Sequence, residues 1–196
     1  HRVAVLSAAH QLKRLANPCE APEVRQLLAK GRRAAHKRGE RPRKKTAITR
    51  TELEALVATC EDSLTGLRDR ALLYFAFASG GRRRSEVAAA DLSDQRRMGA
   101  RSYVYRLEHG KTLQDGPKAT STPDKPILGA AADALAAWLD AAGLAEGPIF
   151  RRLWGTTIGP GLSSKSVADI VQKRARLAGL EGDFGGHSLR SGFVTE

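Results

Sequence analysis

Apolar positions fall into helical stripes separated by polar breaks marked with glycine and proline. Val3, Leu6, Ala9, Leu12 and Leu15 recur at near-helical spacing over 3–16, and Asn17-Pro18 stops that run. Ala21-Pro22-Glu23 opens a second helix, with the proline in its first turn and the acid near the positive end of the dipole. Thr49-Arg50-Thr51-Glu52 has the form of a capping box and leads into an apolar stripe at Leu53, Leu56 and Val57. Residues 66–78 (GLRDRALLYFAFA) are apolar on most faces, which predicts a helix buried in the core and ended by Ser79-Gly80-Gly81. Residues 102–107 (SYVYRL) alternate like a strand, and Lys125-Pro126-Ile127-Leu128 fits a short returning strand. An Ala/Leu helix follows over 130–143, with Trp138 on its apolar face. Ser163 or Ser164 then caps a helix that runs to about Ala178 and stops at Gly179, and 187–196 begin one more. The pattern predicts a mainly α fold with one small antiparallel sheet, of the α+β class, without internal repeats.

Between the second helix and Thr46 the apolar pattern fades. The stretch GRRAAHKRGERPRKK, residues 31–45, has one acid and little to fill a core, and reads as basic linker. The expected organisation is therefore 1–37, the closing helices of a domain whose beginning is missing, then 38–45 as linker, then 46–196 as a second domain. The linker dominates the charge. Residues 1–50 carry fourteen Lys/Arg against three Asp/Glu, which is eleven of the net +12 of the whole chain. Such a block attracts phosphate by counterion release; a solvated basic face explains the charge equally well.

Other classes drop out. No apolar run approaches the roughly 20 residues of a membrane span. The opening HRVAVLSAAHQ does not read as a signal peptide, because Lys13-Arg14 soon interrupts it. Cys19 and Cys60 stand far apart and form no ligand cluster with the five histidines, so a metal site is not expected and both thiols read as reduced, in a cytoplasmic protein. No clustered carboxylates suggest a two-metal nuclease. Aromatics make up only 5 % and look like core, unlike the stacking platforms of single-strand RNA readers.

Three short segments carry candidate chemistry. In Ser79-Gly80-Gly81-Arg82-Arg83-Arg84-Ser85-Glu86-Val87 three arginines stand where a glycine turn starts a helix. Backbone amides and guanidinium forks there could cradle a phosphate, although a basic helix start on the surface has the same composition. Glu108-His109-Gly110-Lys111-Thr112 follows the strand, so Lys111 would sit at a hairpin tip, as an ordinary turn lysine also would. In Gly185-Gly186-His187-Ser188-Leu189-Arg190-Ser191-Gly192, helical spacing puts His187 and Arg190 on one face.

In this order and spacing the three segments resemble the catalytic segments of the tyrosine recombinases, the phage-integrase and Xer-like family. The resemblance covers about 46–196, and more weakly the opening helices, which look like the end of that family's core-binding domain. It implies a tyrosine-recombinase catalytic-domain fold, here truncated at its C-terminus. Registering Ser85-Glu86-Val87 on the family pattern makes Arg83 the first catalytic arginine, with Arg82 and Arg84 as DNA-binding neighbours. Lys111 matches the hairpin lysine, with Lys118 in reserve, and His187 with Arg190 match the H-x-x-R box.

The implied reaction is cleavage and rejoining of DNA strands without metal or cofactor. Arg83 and Arg190 would hold the non-bridging phosphate oxygens. Lys111 would protonate the leaving 5′ oxygen, and His187 would take the tyrosine proton or support the phosphate. A tyrosine would form the 3′-phosphotyrosyl link. The family places that tyrosine beyond the H-x-x-R box, whereas the three tyrosines here are Tyr74, Tyr103 and Tyr105. The expectation is a chain that alone is inactive. Arg43, Lys44 and Lys45 would follow the DNA backbone, as would Lys173 and Arg174 unless these simply form a solvated helix face. Glu86 would steady a neighbouring arginine or form an ordinary helix ion pair. Expected partners are double-stranded DNA and, when intact, further recombinase subunits in a synaptic complex, with no membrane and no small-molecule substrate, at the nucleoid. Alternatives are a catalytically inactive DNA-binding fragment or recombinase-derived factor, and a basic helical protein bound to RNA or nucleoid DNA.

Overall fold

The computed structural model describes residues 2–40, 45–106 and 124–195. It divides into two units, 1–44 and 45–196.

The first unit is helical. Helix α1 (Arg2–Leu12) ends well before Asn17-Pro18, and Arg14 turns the chain with a φ of +53°. Asn17 then caps a single 3-10 turn, Pro18–Glu20, by accepting from the Cys19 amide at 3.0 Å. Helix α2 (Pro22–Lys37) starts at the expected proline and continues through Gly31-Arg32-Arg33, so residues 31–37 of the basic stretch are helix and α2 ends where the expected 38–45 linker begins. Its many Lys and Arg are good helix formers, and a basic composition by itself does not break a helix. Neither helix has a buried residue, and Val5, Leu6, Leu12, Leu15 and Leu27 are exposed.

The second unit contains the core. Helix α3 (Arg50–Ala58) has the expected capping box: the Thr49 amide and hydroxyl both donate to the Glu52 carboxylate, the amide at 2.8 Å. These bonds hold the Glu52 carboxyl below the usual carboxylate range. Ser63 caps α4 (Leu64–Ala78) by accepting from the Gly66 amide. Helix α4 is the central helix, packed along α6 (Ala130–Ala142), with Leu72, Leu73 and Phe75 fully buried. Phe75 stands edge-on to Tyr105 at 5.0 Å and to Phe150 at 5.4 Å. The Trp138 indole N–H, wholly buried, donates to the Ile149 carbonyl at 2.8 Å.

Among the described residues there are two antiparallel sheets rather than the single one expected. The first joins β1 (Gln95–Gly99), β2 (Ser102–Arg106) and β3 (Asp124–Leu128) in that order. Strand β2 buries Tyr103 and Tyr105 by simple alternation, whereas the edge strand β1 is almost wholly exposed and so lacks an apolar signature. The second is a hairpin of β4 (Arg151–Trp154) and β5 (Thr157–Gly161) turning at Gly155-Thr156, with Gly155 at a φ of +62°. Helix α5 (Arg84–Ala88) follows the glycine turn, α7 (Ser164–Leu177) is capped by Ser163, and α8 (Gly186–Thr195) comes last.

Arg174 does not lie on a solvated face, nor can it follow a DNA backbone. It is 3 % exposed and donates twice to Asp69 Oδ2, at 2.9 and 2.7 Å, and once to the Thr59 carbonyl. Arg68 holds the other Asp69 oxygen at 3.0 and 2.7 Å and reaches the Arg151 carbonyl. Asp69 itself is fully buried. One carboxylate thus ties α4 to α7, to the end of α3 and to β4. Removing a partner from such a cluster leaves buried charge uncompensated. Asp69→Asn is expected to cost about 3–5 kcal/mol in urea unfolding. Asp133→Asn, which breaks the exposed pair with Arg101, leaves the midpoint where it is.

Candidate active site

The three sequence segments are drawn together by glycines. Helix α4 ends in Gly80 (φ +92°) and Gly81 (φ +65°), two consecutive left-handed residues that only glycine adopts without strain. The Gly81 amide returns to the Phe77 carbonyl and the Arg82 amide to that of Ala76, which closes the helix and reverses the chain. A Cβ at Gly81 would stand 2.7 Å from the Arg190 Cα and 3.1 Å from the Phe193 Cβ. The arginine turn therefore rests directly on the backbone of α8 at Arg190. Phe193 adds an edge contact to Phe77 at 5.9 Å.

Helix α8 is gripped at two more points. A Cβ at Gly186 would stand 2.6 Å from the Arg84 Cβ, and one at Gly192 only 1.6 Å from the Ile48 carbonyl oxygen. The Ile48 amide donates to the Ser188 carbonyl at 2.9 Å, and the Thr46 amide to that of Asp183 at 3.0 Å. Ser188 Oγ accepts from the Gly185 amide, fixing the helix start. Ser188 and Leu189 are buried, which leaves His187 and Arg190 exposed on the face that the one-in-three spacing predicts.

Arg83 is the residue before α5. Glu86, 7 % exposed, turns back on it: Oε2 accepts the Arg83 amide and Oε1 its Nη1, each at 3.1 Å. The Arg83 amide at this helix start is thus already satisfied by Glu86. Glu86 Oε2 also lies 3.8 Å from Arg82 Nη1.

A family model described as the phage integrase family matches residues 46–196. The chain belongs to the phage integrase family of tyrosine recombinases. The integrase/recombinase xerD homolog of Selenomonas ruminantium is 41 % identical over 140 residues, 69 % of this chain and 40 % of that protein, so this chain spans about two fifths of that relative. Among solved structures, the XerH site-specific recombinase bound to difH substrate in a pre-cleavage complex superposes with a TM-score of 0.56 at 19 % identity. That match covers 78 % of this chain and 43 % of that one. A lambda integrase dimer bound to a COC′ core site gives 0.54 at 18 %, over 97 % and 55 %. These two likenesses concern the fold.

In this integrase-family domain the segment bearing Arg82, Arg83 and Arg84 is seated against the segment bearing His187 and Arg190, through Gly81 at Arg190 and Gly186 at Arg84. Arg84 is exposed, whereas the Arg82 side chain is only 12 % exposed and is turned inward. Lys45 is ion-paired to Asp183 beside Gly185. Arg43, Lys44, Lys111 and Lys118 lie outside the described residues. The inward turn of Arg82 and the burial of Glu86 have no local sequence signal, since an RRRSE string is consistent with any of its cations facing water. The Tyr74 hydroxyl donates to Glu54 at 2.8 Å, and its pKa is pushed up to about 12, chiefly by burial. Burial also raises that of Tyr105. Among the described residues no group of His, Cys, Asp and Glu is arranged to hold a metal ion, and no helix is long and apolar enough to cross a membrane.

Gly192→Ala must push α8 off Ile48 and should cost roughly 1–3 kcal/mol, as overpacking does. Gly185→Ala, whose Cβ would meet only the Lys45 chain at 3.6 Å, should be tolerated. Thermal melts of the two variants check this, and equal melting points would contradict the backbone contact.

Proposed function

We propose that this protein is a site-specific DNA recombinase or integrase that cleaves and rejoins strands through a 3′-phosphotyrosyl intermediate. The observation that supports it is the seating of the arginine turn on α8 at Arg190, which puts two guanidinium-bearing segments of the family's catalytic pattern side by side. Two arginine forks can hold two non-bridging oxygens of one phosphodiester and stabilise the charge that builds on them, with the phosphorus kept in line for attack.

In the proposed reaction a tyrosine oxygen attacks phosphorus, the bond to the 5′ oxygen breaks, and Lys111 delivers a proton to that oxygen. His187 receives the tyrosine proton or supports the phosphate; its place on the exposed face of α8 suits either part. Neither Tyr74, tied to Glu54, nor the buried Tyr103 and Tyr105 are offered as the nucleophile, which this reading puts outside the present sequence. Rejoining is the same step reversed by a 5′ hydroxyl, so the phosphoester is conserved and neither metal nor cofactor is required.

Duplex DNA is the proposed substrate, with Arg84 and the basic residues Arg43, Lys44 and Lys45 following its backbone. The XerH site-specific recombinase was solved bound to its difH substrate, and lambda integrase as a dimer bound to a COC′ core site. By analogy, the intact protein is proposed to work with further copies of itself, at the nucleoid in the cytoplasm. In the intact protein, Arg190→Ala and Arg83→Ala should each lower single-turnover strand cleavage by at least about a hundredfold. Trapping of the covalent adduct on a nicked duplex bearing the recombination site measures this. Unchanged cleavage in Arg190→Ala would sink the assignment; duplex binding by wild-type protein with no adduct at all would favour a DNA-binding factor.

A further inference from the structure

Arg82 was expected to meet DNA as a neighbour of Arg83, yet it folds inward. Its Nη2 lies where a Cβ at Gly80 would come within 2.9 Å, and its side chain is 12 % exposed. Its Nε is buried without a hydrogen-bond partner among the described residues. Its Nη1 lies 3.8 Å from Glu86 Oε2, while Glu86 Oε1 holds Arg83 Nη1 at 3.1 Å. A single buried carboxylate thus stands between a largely buried guanidinium, that of Arg82, and a more open one, that of Arg83, with Arg190 on the adjoining backbone.

The balance of charge gives this arrangement its meaning. An Arg83–Glu86 pair by itself is neutral, and Glu86 would compete with a phosphate for the Arg83 guanidinium. With Arg82 beneath, the group Arg82–Glu86–Arg83 carries one net positive charge, and Arg190 adds another. We propose that Arg82 is a positioning residue, a buried counter-ion that neutralises Glu86 and so leaves the charge of Arg83 for the scissile phosphate. This rests on the reading of Arg83 and Arg190 as phosphate ligands and assigns Arg82 no contact with DNA. The electrostatics agree with the geometry. Burial works against the charge on Arg82, Glu86 supports it and Arg190 opposes it, and an arginine so placed remains a cation at neutral pH.

The test titrates inorganic phosphate into the full 196-residue chain at low ionic strength and follows the guanidinium Nε–H signals of Arg83 and Arg190 by NMR. Wild type should give one saturable curve for both signals. Arg82→Met should need about tenfold more phosphate, because Glu86 then holds Arg83, whereas Arg82→Lys should stay within about threefold of wild type. The decisive variant is the pair Arg82→Met with Glu86→Gln. Removing the carboxylate charge removes the need for a counter-ion, so binding should return to within about threefold of wild type. A merely structural role for Arg82 would not be rescued in this way. Should Arg82→Met alone fail to fold, the pair still decides: a folded pair that binds like wild type supports the proposal, and a pair that does not fold or does not bind overturns it. Equal saturation in wild type and Arg82→Met overturns the counter-ion role alone. Signals in wild type that never respond to phosphate overturn it together with the proposed function.

Discussion

Helix α8 is held at backbone distance by its neighbours, and the candidate site exists because of that contact. At Gly81, Gly186 and Gly192 a Cβ would overlap a neighbouring atom, at 2.7, 2.6 and 1.6 Å. Side-chain packing tolerates small slips, since a rotamer can adjust. Backbone against backbone cannot adjust in that way, so the contact at Gly81 sets the position of the Arg190 backbone against the arginine turn. Gly81 serves the turn twice, through its positive φ and through its lack of a side chain.

Beneath that contact the charges are arranged in two layers. Near α8, Glu86 lies between Arg82 and Arg83, two cations to one carboxylate. Deeper in the unit, Asp69 joins Arg68 and Arg174 and faces no solvent at all. In the first cluster the Arg82 Nε makes no hydrogen bond; in the second every guanidinium nitrogen donates to a carboxylate or a backbone carbonyl. This contrast separates a binding arrangement from a scaffolding one more clearly than burial does, because both contain inward-turned arginines.

Much of this was legible along the chain. The capping box at Thr49 and Glu52, the buried helix at 66–78, the glycine stop before Arg82 and the spacing of His187 and Arg190 are local signals, and local chemistry decides them. What the sequence could not display depends on distant partners. Arg174 looks like any helical arginine until Asp69, 105 positions away, comes to meet it. Strand β1 is an edge strand whose residues face water, so its pairing with β2 is written in backbone hydrogen bonds and not in hydropathy. Helix α2 runs through Arg32 and Arg33 to Lys37 because helical geometry is indifferent to charge that points into solvent, so a basic composition alone does not mark where helix gives way to linker. The inward turn of Arg82 is invisible for the same reason, since composition carries no direction.

The segment 46–48 runs straight from the basic connection into hydrogen bonds with the residues around α8, through Thr46 to Asp183 and Ile48 to Ser188. The strand of chain that leads into α3 is thereby stitched to the helix bearing His187 and Arg190, and because Ile48 is also fully buried, the same three residues anchor the site and the core at once.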